Sequence, residues 1–88
     1  NRVLLGANTT ISDSDRHPLN AESRFSNAPG ATKPILIEDD VWVGMNAVIM
    51  KGVTIGRGAV IAANSVVLKD VPANVVAAGV PAIVVKSI

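Results

Sequence analysis

Hydrophobic positions in this chain recur every six residues. Ile37, Val43, Ile49, Ile55, Ile61 and Val67 are all β-branched, and each follows the last by six. Four places after each anchor stand Val41, Ala47, Val53, Ala59, Ser65 and Val71, all small or β-branched. Five places after stand Trp42, Val48, Thr54, Val60, Val66 and Pro72. Every charge between Ile37 and Pro72 falls one, two or three places after an anchor, and Gly44, Gly52, Gly56 and Gly58 share that window. A helix repeats near 3.6 residues and a half-buried strand near 2, so a period of six fits neither. It predicts an all-β solenoid in which each hexad is one short strand and one polar, glycine-tolerant corner. Three hexads close a turn, and successive turns stack at about 4.8 Å to build three parallel sheets with the anchors inside.

The pattern also divides the chain. Leu5-Gly6-Ala7-Asn8-Thr9-Thr10 followed by Ile11 is a weaker hexad, so residues 1–11 are expected to form a partial coil. The period then disappears. Residues 12–34 are polar and carry Pro18, Pro29, Gly30 and Pro34, the composition of an insertion loop. Coils resume over 35–72. Residues 73–88 leave the period and are expected to cap the open end or to dock on a neighbour. The chain opens inside a strand pattern, which points to a single domain cut from a longer protein.

Composition narrows the class. Of 88 residues, 14 are Val and 8 are Ile against 5 Leu, a balance that favours strands over a helical bundle. Cysteine is absent, which removes disulfides and cysteine-based zinc sites. A net charge of +1 gives no reason to expect nucleic acid or an acidic membrane surface as a partner. No apolar run approaches the roughly 18 residues of a membrane span.

The hexads, with the segments Val41-Trp42-Val43-Gly44, Gly52-Val53-Thr54-Ile55-Gly56, Asn64-Ser65-Val66-Val67, Lys69-Asp70-Val71-Pro72 and Ala78-Gly79-Val80-Pro81-Ala82, resemble the hexapeptide-repeat acyltransferases. The similarity is greatest to the sugar O-acetyltransferases of the galactoside, maltose and nodulation-factor type. The resemblance implies a left-handed parallel β-helix, an exception to the right-handed rule for crossovers. It also implies acetyl-coenzyme A as co-substrate, a small hydroxylated acceptor such as a sugar, no metal, a homotrimer and a cytoplasmic location.

His17, the sole histidine, stands at the root of the insertion loop in Asp13-Ser14-Asp15-Arg16-His17-Pro18, where the family carries its catalytic base. An imidazole suits removal of a hydroxyl proton near neutral pH. A carboxylate on its second nitrogen would fix the tautomer, and Asp13 and Asp15 both stand in reach of that role by sequence. Without the resemblance, His17 reads more readily as an exposed loop residue beside two turn-forming aspartates. Further implied roles are Trp42 bordering the cleft, and Gly44, Met45 and Ala63 along the cofactor arm. Lys69 or Lys86 would lie near its phosphates, and Arg24 near the acceptor. The family often carries a hydroxyl side chain where Met45 stands, so only a backbone donor remains there to stabilise an oxyanion.

Other readings meet specific obstacles. A serine acetyltransferase shares the Asp15-Arg16-His17-Pro18 stretch but resumes its hexads sooner. A γ-type carbonic anhydrase needs three zinc histidines. Ice-binding solenoids need outward threonine rows, whereas the four threonines here are scattered. A purely structural assembly domain stays open as the alternative to an enzyme. The apolar last hexad positions Val48, Val60 and Val66 predict an interface between copies of the chain.

Overall fold

The computed structural model describes residues 2–24 and 29–88; residues 25–28 of the expected loop, and Asn1, lie outside the described residues. The described residues contain ten strands and no helix. They are β1 (Val3–Leu5), β2 (Thr10–Ile11), β3 (Leu36–Ile37), β4 (Val41–Val43), β5 (Val48–Ile49), β6 (Thr54–Ile55), β7 (Val60–Ile61), β8 (Val66–Val67), β9 (Val75–Gly79) and β10 (Ala82–Ser87). Strands visit three sheets in rotation. The first sheet has the order β1-β4-β7-β9-β10, the second β2-β5-β8, and the third β3-β6. A parallel bridge from Ile55 to Val71 continues the third sheet into the next coil. All coil-to-coil pairings are parallel.

The register measures the insertion. Val43 pairs with Ile61, and Ile49 with Val67, a step of 18 residues per coil. Val3 pairs with Val41, and Ile11 with Ile49, a step of 38. The first coil therefore carries 20 extra residues (38 less 18), all between β2 and β3.

Strands of two or three residues need sharp corners, and one position in each hexad supplies them. Three places after the anchors, Asp40, Asn46, Gly52, Gly58 and Asn64 have φ of 63°, 59°, 77°, 73° and 63°. This left-handed region is open to Gly and tolerated by Asn and Asp, which explains why only those types stand there. Asp70 occupies the sixth such place and instead accepts a hydrogen bond from the Thr54 N–H at 2.8 Å.

Packing follows the hexads. Val43, Ile49, Ile55, Ile61 and Val67 are buried, as are Val41, Ala47, Val53 and Ala59 four places after an anchor. Ile37 is only half-buried, because β3 is the edge of the third sheet. Ser65 is the buried polar side chain of this column, and its hydroxyl accepts from the Gly79 N–H at 3.2 Å. Residues five places after the anchors face outward. On the first sheet they form an apolar row in register, Leu4–Trp42–Val60–Val76, with Trp42 54% exposed. The C-terminal segment extends this sheet. β9 lies parallel to β7, the chain reverses at Gly79–Pro81, and β10 returns antiparallel with a bulge between Val84 and Lys86.

Candidate functional site

The insertion leaves the helix at the corner between the second and third sheets. Its two limbs, 12–17 and 30–34, run back to back. Ser14 and Thr32 form an antiparallel bridge, the Asp15 N–H donates to the Ala31 carbonyl at 2.9 Å, and the Lys33 N–H donates to the Asp13 carbonyl at 2.9 Å. The coil below holds this base in place. The Gly52 N–H donates to the Lys33 carbonyl at 3.1 Å, and Lys51 Nζ lies 2.9 Å from Asp15 Oδ1. The Lys51–Asp15 pair is two-thirds buried on the lysine side and more on the aspartate side. Asp15 Oδ2 is buried with no hydrogen-bond partner among the described residues.

His17 stands at the end of the first limb, exposed to solvent. Among the described residues its ring has no hydrogen-bond partner, so its place is set by the backbone. Arg16, just before it, adopts φ 71°, and the Arg16 N–H donates to Ser14 Oγ at 3.0 Å. Neither aspartate expected to orient the imidazole bonds to it: Asp15 is turned to Lys51, and Asp13 is exposed.

A second feature lies at a different corner, between the first and second sheets. Here one small residue per coil stacks on the next. A Cβ on Gly6 would stand 2.5 Å from Met45 N, and one on Gly44 would stand 2.6 Å from Ala63 N. The absent side chains let three backbones close up and leave a groove of about 540 Å³. Its floor is Gly6–Ala7, Gly44–Met45 and Ala62–Ala63, and Trp42 and Val60 form its wall. Trp42 also borders a smaller hollow with Arg2, Leu4 and Asp40. Arg2 and Asp40 pair there at 2.8 Å.

The residues singled out by sequence thus fall into two groups. Trp42, Gly44, Met45 and Ala63 share one groove. His17, Asp13 and Asp15 sit on the loop at another corner and do not line it. Lys69 is exposed after β8, and Lys86 is exposed on β10 opposite Val76, so the two lysines occupy separate places. Arg24 is exposed and donates to the Leu19 carbonyl at 2.9 Å. Sequence reasoning passed over Lys51, Gly6 and Ala7. The coil step would have found the last two, since Gly6 stands 38 residues before Gly44, but that step requires the loop length. Among the described residues no group of three or more His, Asp or Glu side chains could hold a metal ion. No helix among them is long and apolar enough to cross a membrane.

Comparison with known proteins follows the same lines. Residues 34–69 match the family described as bacterial transferase hexapeptide (six repeats). A hexapeptide-repeat-containing acetyltransferase from Vibrio cholerae, solved in complex with acetyl coenzyme A, superposes with TM-score 0.89 and 46% identity over 97% of this chain and 45% of its own. A maltose O-acetyltransferase from Clostridium difficile superposes with TM-score 0.90 and 43% identity over 98% of this chain and 45% of its own. A 2,3,4,5-tetrahydropyridine-2,6-dicarboxylate N-acetyltransferase of Clostridium perfringens is 58% identical over 60 residues, which are 68% of this chain and 25% of that protein. The chain therefore belongs to the hexapeptide-repeat acyltransferase family, and its fold is the left-handed parallel β-helix. It spans less than half the length of these relatives.

Proposed function

We propose that this chain is the β-helical part of an acetyltransferase that moves an acetyl group from acetyl-coenzyme A to a hydroxyl of a sugar or similar small acceptor. The observation that carries this reading is the likeness to a maltose O-acetyltransferase over 98% of the chain, insertion included. The N-acetyltransferase likeness covers 68% and leaves an amine acceptor as the second reading.

The groove suits the pantetheine arm of the cofactor. That arm is a narrow chain of amides, and stacked Gly and Ala corners let it approach the backbone. Trp42 supplies an apolar wall beside the thioester. Lys69 or Lys86 answers the phosphates at the far end. His17 takes the acceptor's proton as the acceptor oxygen attacks the thioester carbonyl. The C–O bond forms, the C–S bond breaks, and the proton passes to the departing thiolate. This chain supplies no cysteine as an acyl-carrying nucleophile, and direct transfer with both substrates bound together is the mechanism proposed. Asp15 or Asp13 would serve His17 only after a local turn of the side chain.

His17 and the groove stand at different corners of one prism. Three prisms packed around an axis would bring the loop of one against the groove of the next, and would cover the row Leu4–Trp42–Val60–Val76. We place the site between subunits of such a homotrimer, in the cytoplasm, where acetyl-coenzyme A is available.

The test is release of free thiol from acetyl-coenzyme A with a panel of sugars and amines. Sugar-dependent release is expected, and His17→Ala should lower it about 100- to 10,000-fold. No release with any acceptor, or a His17→Ala rate above a third of the parent, would contradict the proposal.

A further inference from the structure

Gly30 is buried although Ala31 and Thr32 beside it are exposed. Its backbone lies outside the left-handed region, so glycine is not there for its conformational freedom. What the position demands is space. A Cβ on Gly30 would stand 2.6 Å from His17 N, 2.7 Å from Arg16 N and 2.9 Å from Arg16 C. All three are backbone atoms, which no side-chain rotation can move aside.

We infer that Gly30 is a positioning residue for His17: its missing side chain lets the returning limb of the loop lie flush against the Arg16–His17 backbone and so fixes where the imidazole stands. The two limbs are tied to each other by the Ser14–Thr32 bridge, by Asp15 N–H to Ala31 and by Lys33 N–H to Asp13. Each is also tied to the coil, the outgoing one by Ser12 N–H to Ile49 and Lys51 to Asp15, the returning one by Gly52 N–H to Lys33. Among the described residues the His17 ring has no hydrogen-bond partner to restore its position. An added methyl group at residue 30 therefore forces the backbone at 16–17 and the returning limb apart, and the imidazole shifts relative to the rest of the loop base. A shift of this kind acts on acetyl transfer and leaves the cofactor groove at its separate corner untouched. The inference rests on the reading of His17 as the base.

The experiment is steady-state kinetics on the full-length protein for Gly30→Ala, His17→Ala and the double variant, with thermal melts of each. Gly30→Ala should lower kcat roughly 10- to 100-fold, the size of effect a misplacement of up to an ångström produces, with the KM for acetyl-coenzyme A within about twofold. In the His17→Ala background the same substitution should change the residual rate by less than about twofold, because a residue acting through His17 has nothing left to position. An equal loss in both backgrounds, or a fall in melting temperature above about 10 °C, would overturn the inference in favour of a general structural role. A parent-like Gly30→Ala beside an inactive His17→Ala would overturn this inference alone. A parent-like His17→Ala would overturn the functional reading and the inference with it.

Discussion

The coils and the insertion are built on different principles. In the coils every position is supported by copies of itself. Ile49 packs beside Val67 above the same sheet, Ile55 bridges to Val71, and left-handed corners recur one coil apart at Asp40 and Gly58 and at Asn46 and Asn64. Burial does the holding, and Ile49, Ile55 and Ile61 are fully enclosed. The described part of the insertion encloses only Gly30. It is held by a few backbone hydrogen bonds and by the single Lys51–Asp15 pair. The proposed chemistry sits where repetition stops. A repeat cannot place one unique imidazole, whereas a loop leaving one corner of one coil can.

That contrast predicts unequal responses to substitution. The largest belongs to the coils. Ile55→Asp would bury an unpaired carboxylate in the prism, a cost of several kcal/mol against a total stability of about 5–15 kcal/mol. The variant should lack a cooperative melt by circular dichroism. A parent-like melting point would mean that Ile55 does not face inward.

A smaller effect is expected at the groove. Ala63 is exposed and lines it, so Ala63→Trp fills the groove without entering the core. The KM for acetyl-coenzyme A should rise at least about tenfold, a loss near 1.4 kcal/mol of binding, with an unchanged melt. An unchanged KM would move the cofactor elsewhere.

The smallest effect belongs to the loop's anchor. Lys51→Met leaves the largely buried Asp15 carboxylate without its cation, a local cost of about 1 kcal/mol where the loop can shift to let water in. A rate reduced about fivefold with the coil melt unchanged would match an anchor that serves the loop alone. A lowered coil melt would make the pair part of the core's own support.

The same contrast decides what could be read in advance. Ile37 through Val67 announced the coils because six residues told one story, and the register confirmed them as a three-sheet parallel helix. The corner residues were legible as a polar window, while their left-handed backbone became plain only with Asp40, Asn46 and Asn64 in place. In the loop each contact occurs once. Backbone pairing sets the Ser12 N–H on the Ile49 carbonyl, which aligns Asp13 with Lys51 along the coil step. Yet the chain turns at Ser14, and Asp15 takes the lysine instead. No spacing rule anticipates that exchange. Gly30 was readable only as a loop glycine, since the backbone it touches lies thirteen residues away in sequence.

The division of the proposed site between two corners is the claim most open to a direct test. His17→Ala and Ala63→Trp chains, each slow alone when acetyl-coenzyme A is held well below the raised KM, should be mixed by denaturation and renaturation, the hybrids confirmed by native mass spectrometry, and the mixture assayed at that same concentration. In a trimer whose sites each draw the loop from one subunit and the groove from the next, random mixing at equal amounts leaves about one site in four with both parts intact. The mixture should regain roughly a quarter of the parent thiol release from acetyl-coenzyme A. Hybrids that form and show no more thiol release than the average of the separate variants would contradict a site shared between subunits.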